Sequence, residues 1–94
     1  DFNETILLDP EYGLAYNNRG LAIYNLGRPQ RAIRDFDEAI RLDGQMAQAY
    51  ANRAKAYTLL GRDAEARRDV EKATKLGTDA EALKAALEQL RRPR

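Results

Sequence analysis

The chain contains no cysteine and no histidine, and neither serine nor tryptophan occurs in it. Without thiols there is no disulfide and no thiolate metal site, though the absence of cysteine is neutral as to redox compartment. Without imidazole or a serine hydroxyl, hydroxyl–imidazole triads and histidine-ligated zinc are excluded. Long apolar runs are lacking as well, and nothing approaches the ~20 residues that a membrane-spanning helix requires. A charged-then-apolar leader is missing. The chain opens at Asp1 inside a helical pattern, so an excised fragment is expected, with a cytoplasmic location favoured. An excess of one charge is also absent. Lys and Arg number 16 against 15 Asp and Glu, for a net charge of +1, a balance that argues against a dedicated nucleic-acid binder with its basic stripe.

What is present fits one domain over residues 1–94. Hydrophobic residues make up 44% and charged residues 33%, ordinary for a globular chain. Arginine outnumbers lysine 12 to 4 and alanine occurs 16 times, a bias expected of a GC-rich bacterial coding sequence.

Sliding the sequence against itself by 34 positions aligns residues 13–46 with 47–80, and 13 of the 34 pairs are identical. Compositional bias toward Ala and Arg accounts for some matches. It does not account for Tyr16/Tyr50, Asn18/Asn52, Gly27/Gly61 and Asp35/Asp69 falling in register. The offset continues outward, with Phe2 aligning with Phe36 and Val70, and Leu8 with Leu42 and Leu76.

Each unit reads as two helices. Over 12–26, Tyr12, Ala15, Tyr16, Ile23 and Leu26 recur at helical spacing, with Arg19 and Ala22 on the same side. Gly27 supplies a positive-φ stop, and Pro29 is tolerated in the first turn of the next helix. Over 29–42, Ala32, Ile33, Phe36, Ala39 and Ile40 share a face, and Asp43-Gly44 closes the unit. The second copy predicts helices over 46–60 and 63–76. An Asp or Thr N-cap then starts a helix over 79–91 whose stripe is Leu83, Ala86, Leu87 and Leu90. It reads as a cap on the array. The organisation is a half repeat and turn over 1–12, ended by Asp9-Pro10, repeats 13–46 and 47–80, the capping helix 79–91 and a tail 92–94.

A 34-residue helix–turn–helix period resembles the tetratricopeptide repeat family, whose pattern sets an aromatic, Leu-Gly, Tyr, Ala-x-x-x-Phe and Pro at fixed offsets. The first copy offers Tyr16, Arg19-Gly20, Ile23, then Ala32 with Phe36, and Gly44 in place of Pro. The second offers Tyr50, Arg53-Ala54, Tyr57, then Ala66 with Val70, and Thr78. Phe2 and Pro10 match the end of an upstream unit. The resemblance implies an all-α fold, a right-handed αα-superhelix of antiparallel hairpins. Gly20/Ala54 and Ala32/Ala66 would let the helices of a hairpin approach, and Ala39/Ala73 would let hairpins stack.

By position, the resemblance also implies a concave groove lined by the first helix of each unit. Its residues would be Leu14, Asn17, Asn18, Leu21, Tyr24 and Asn25 in the first copy, and Gln48, Ala51, Asn52, Lys55 and Thr58 in the second. Ala82, Ala85 and Gln89 would come from the cap. Side-chain amides both donate and accept, which suits an extended peptide backbone, and Tyr24 adds a flat contact with a polar tip. One subfamily grips the C-terminal carboxylate of chaperones with a Lys/Asn/Asn/Lys/Arg clamp. Only Asn52 matches here. Asn17, Leu21, Ala82 and Ala86 occupy the other positions, so a clamp is not expected.

Arg19 and Arg53 each precede an aspartate by 16 residues. In a helical hairpin that spacing brings them opposite Asp35 and Asp69, and structural ion pairs are expected in place of an anion site. Asn18 and Asn52 suit ligand binding or inter-helix hydrogen bonding equally. Tyr12, Tyr16, Tyr50 and Tyr57 read as core in preference to a base-stacking platform, whereas Tyr24 lies off the stripe. Arg28, Arg31, Arg34, Arg62, Arg67 and Arg68 are interspersed with Asp37, Glu38, Glu65 and Glu71, the pattern of a solvated mixed-charge face. No carboxylate pair has a companion for acid–base work.

The sequence therefore predicts a non-catalytic module that binds a peptide or helix of another protein, with no cofactor, no metal, no nucleic acid and no membrane. The alternative is a self-associating scaffold joined through the apolar N-terminal edge of Phe2, Ile6 and Leu7. An RNA-binding helical repeat is disfavoured by the charge balance.

Overall fold

The computed structural model describes residues 12–91. The half repeat and turn expected over the first residues, with the edge Phe2, Ile6 and Leu7, and the tail 92–94 lie outside them. Five helices follow one another: α1 (Tyr12–Asn25), α2 (Pro29–Leu42), α3 (Ala47–Leu59), α4 (Asp63–Lys75) and α5 (Ala80–Arg91). Each agrees within a residue or so with the span read from apolar spacing.

The helix ends show why the period is so regular. Gly27, Gly61 and Gly77 have φ of +85°, +74° and +113°, a left-handed region in which side chains are strained. Each closes the same double hydrogen bond. Gly27 N–H donates to Tyr24 C=O at 2.9 Å and Arg28 N–H to Ile23 C=O at 3.2 Å. Gly61 and Arg62 repeat the pattern onto Thr58 and Tyr57, as do Gly77 and Thr78 onto Thr74 and Ala73. This is the Schellman arrangement, which satisfies carbonyls that a helix end would otherwise orphan. Pro29 then occupies the first turn of α2. The turn between repeats is built differently: Asp43 is extended, and its Oδ1 accepts from the Gln45 N–H at 3.0 Å. At α5, Asp79 Oδ1 accepts from the N–H groups of Glu81 and Ala82 at 3.0 and 3.1 Å, a side-chain cap.

Each helix packs on the next, and the first helices also touch in series, α1 with α3 and α3 with α5. That contact pattern is a solenoid of helical hairpins. The core consists of three clusters, each of which joins one hairpin to the element that follows it. Tyr16 and Ala39 of the first hairpin pack with Met46 and Ala49 of the second. Ala32, Ile33 and Phe36 of α2 pack with Ala56 of α3, flanked by Ile23, Tyr24, Tyr57 and Leu60. Ala54, Val70 and Ala73 are covered by Leu83 and Leu87 of α5, so the last helix caps the array. Neither hairpin holds a complete core of its own.

Small residues set the spacing. A Cβ on Gly20 would lie 2.7 and 2.9 Å from ring carbons of Phe36, itself fully buried. In the second copy the corresponding pair is Ala54 and Val70, again in one cluster. The methyl gained on one helix is matched by a smaller side chain on the other.

The structure corrects the expected stripe of α1. Leu26 is 76% exposed, Ala22 is exposed and Ala15 only half-buried, whereas their counterparts Ala49 and Ala56 are completely buried. The reason is position: α3 has α2 against its flank, and among the described residues nothing equivalent covers α1. Tyr24 is not off the core either, since it packs beside Phe36 and Ala56. Burial raises its phenol pKa above the ordinary tyrosine value.

Candidate functional site

The polar residues singled out in the sequence divide into three groups. The first is structural. Arg19 meets Asp35 through two parallel hydrogen bonds, Nε to Oδ2 and Nη2 to Oδ1, each 2.8 Å. Arg53 meets Asp69 in the same way at 2.9 and 2.8 Å, and its Nη1 reaches Asp37 of the preceding repeat at 2.8 Å. This fork geometry is specific to guanidinium. Hydrogen bonding to Asp35 and Asp69 raises the pKa of Arg19 and Arg53 above the arginine norm. Both guanidiniums also lie over tyrosine rings, Arg19 at 5.3 Å from Tyr16 and Arg53 at 5.6 Å from Tyr50.

The second group is buried. Asn17, expected in the groove, is only 1% exposed. Its Nδ2 donates to Gln48 Oε1 at 3.3 Å, and its Oδ1 accepts from Asn52 Nδ2 at 3.0 Å. The three amides form a ladder from α1 to α3. Thr58 is also buried, and its Oγ1 has no hydrogen-bond partner among the described residues. Asn18, in the register of Asn52, is exposed, because the face that α1 turns to Asn52's neighbours has no counterpart on its own N-terminal side among the described residues.

The third group lines a depression. Gln48, Ala51, Asn52 and Lys55 recur at i, i+3, i+4 and i+7, on the side of α3 opposite the one that meets α4. They border an open cavity of about 600 Å³ together with Gln45, Met46, Ala47, Leu76, Gly77 and Thr78. Among the described residues, Lys55 is its single charged side chain. Amides and one hydroxyl alternate with Met46, Leu76 and two alanines. With Asn17 satisfied from below, the exposed Gln48 keeps its Nε2 donors for an incoming chain, and Asn52 shows only its edge at 9% exposure.

Leu21, Tyr24, Asn25 and Asn18 do not border this cavity, nor do Ala82, Ala85 and Gln89. The turn residues at both its ends escaped the sequence reading, because periodicity along one helix carries no information about where a turn folds back beside it. At the carboxylate-clamp positions Asn17 is buried and Ala82 and Ala86 bring no cation. Among the described residues no helix is long and apolar enough to cross a membrane, and no group of three or more His, Cys, Asp or Glu is placed to hold a metal ion.

Stacked hairpins with a shallow polar trough along one first helix define a helical-repeat solenoid. Residues 13–45 and again 47–76 match family models described as tetratricopeptide repeat, and the chain belongs to that family. Such repeats are generally non-catalytic modules of protein–protein interaction. No curated protein and no solved structure matches the chain.

Proposed function

We propose that the chain is a non-catalytic interaction module that seats an extended segment or a helix of a partner protein on the exposed side of α3. The observation that carries this reading is the trough bordered by Gln48, Ala51, Asn52 and Lys55. It is shallow and almost uncharged, which suits a peptide backbone better than a small molecule needing enclosure. A preorganised surface of this kind gains affinity by limiting what must be ordered on binding. Leu14, Leu21 and Asn25 extend the path along α1. The reading requires no cofactor, metal or nucleic acid.

Ala51→Arg places a long cation in the middle of the trough without touching the Asn17–Asn52 bond. Affinity capture from the source cell, with intact and substituted bait compared quantitatively, is expected to lose specific partners with Ala51→Arg while its helical signal is retained, the partly buried Ala51 allowing some loss of stability. An identical partner profile would overturn the assignment.

A second reading is self-association. Leu14 is 46% exposed, and Asn18 and Ala22 are open where Asn52 and Ala56 are buried, so the outer flank of α1 has the character of a stacking surface. Sedimentation over a range of concentrations tests it, and a strictly monomeric chain removes it.

A further inference from the structure

The two repeats carry the same cleft between their paired helices, with different charge. In the first repeat a cleft of about 510 Å³ is lined by Tyr16, Arg19, Ile23, Arg31, Arg34, Asp35 and Glu38. Adding 34 to each number gives Tyr50, Arg53, Tyr57, Glu65, Arg68, Asp69 and Lys72, all of which line a cleft of about 470 Å³ in the second repeat. The second is an internal control for the first. There Arg62 is held by Glu65, Nε to Oε2 at 2.8 Å, and Asp63 lies 3.5 Å from Arg91. Arginine stands at position 31 where the second repeat has Glu65, and Pro29 stands in place of Asp63. The acids that remain are committed: Asp35 to Arg19 and Glu38 to Arg41 at 2.7 Å. Among the described residues, Arg28, Arg31 and Arg34 are therefore left without a carboxylate, all three exposed. They also share the rim of an adjoining hollow of about 450 Å³ floored by Pro29 and Leu60.

We propose that the Arg28–Arg31–Arg34 rim of the first repeat docks an acidic peptide segment of a partner protein, independently of the trough on α3. Guanidiniums left unpaired beside a cleft favour carboxylates, which they bind in a bidentate fashion. Arg28 to Arg34 is six residues, under two helical turns and about 9 Å along the axis, which matches roughly three residues of extended peptide. That length, on a chain whose net charge is +1, is too short a track for a polynucleotide backbone. Leu60 and Pro29 add an apolar floor for a side chain flanking the acids.

The test uses the full chain and a fluorescein-labelled peptide in which a run of glutamates is flanked by leucines, beside the same peptide with glutamines. At low ionic strength the glutamate peptide is expected to bind and the glutamine peptide to bind at least about tenfold more weakly, with amide shifts in a ¹⁵N-labelled chain centred on residues 27–34. Arg31→Glu reproduces the second repeat's arrangement. It is expected to weaken binding at least about tenfold, since one guanidinium is removed and Arg28 is engaged by the new carboxylate. Its helical signal and melting temperature should be maintained. Glu65→Arg is expected to create a second saturable site. Absence of binding, equal binding of the two peptides, an unaffected Arg31→Glu variant or shifts centred on Lys55 would each overturn the proposal. A uridine oligonucleotide binding the same residues more tightly than the peptide would overturn it in favour of RNA.

Discussion

Arg53 reaches out of its own repeat to Asp37, with Nη1 2.8 Å from Oδ1, while its other two nitrogens, Nε and Nη2, donate to Asp69. One guanidinium thus fastens α3 both to α4, its hairpin partner, and to α2 of the repeat before. The two carboxylates differ in burial. Asp69 is enclosed, whereas the Asp37 side chain is 54% exposed, and this difference sets what each contributes.

Asp37→Asn is expected to cost about 0.2–1 kcal/mol, the range of a solvent-accessible pair. Asp69→Ala is expected to cost about 3 kcal/mol, the low end for breaking a buried pair, because Arg53 keeps Asp37 and some solvent. Urea unfolding of the two variants checks the order. Equal effects would show that the inter-repeat bond matters as much as the intra-repeat one.

Gly20 and Phe36 make a second, steric prediction. Gly20→Ala drives a methyl into the Phe36 ring and is expected to cost about 1–3 kcal/mol through overpacking. Phe36→Val alone opens a cavity and also destabilises. The double variant recreates the volumes of Ala54 and Val70, so its loss is expected to be smaller than the sum of the singles by about 1 kcal/mol. A double-mutant cycle in urea reads this directly, and strict additivity would separate the two positions.

Thr58 gives a prediction of opposite sign. Its hydroxyl is buried without a partner among the described residues, a state that carries a desolvation penalty. Thr58→Val keeps shape and branching while removing the hydroxyl, and is expected to stabilise the fold by about 1 kcal/mol. A rise in melting temperature is the readout.

Tyr24 makes stability depend on alkaline pH. Burial raises its pKa above the ordinary 10.0, so the folded state prefers the neutral phenol. A group whose folded pKa is raised contributes stability that is complete below the unfolded pKa and is lost as pH rises through the folded one. Stability is therefore expected to fall above pH 10, and Tyr24→Phe should flatten that part of the profile. Denaturation midpoints measured across the range test it. An unchanged profile would place the alkaline loss in other groups.

Much of the architecture was legible in local signals. Gly27, Gly61 and Gly77 punctuate the helices because only a positive φ lets the same pair of terminal hydrogen bonds close, and that requirement shows in sequence as a glycine at a fixed offset. Apolar spacing gave α2 and α5 their buried faces, including Phe36 and Leu87. The trough was legible only in part. Gln48, Ala51, Asn52 and Lys55 share a stripe at helical intervals, but the turns at 45–47 and 76–78 reach its edges through tertiary folding.

By itself, the sequence determined where helices begin and end and that the unit recurs every 34 residues, since both follow from backbone preference and apolar period. Tertiary structure alone decided which of two equivalent side chains is buried. Asn52 and Ala56 lie beneath a preceding hairpin while Asn18 and Ala22 stand open, and Asn17 exchanges the trough for an amide ladder. Burial in a stacked array depends on what lies against each face, and a repeat carries no record of its neighbours.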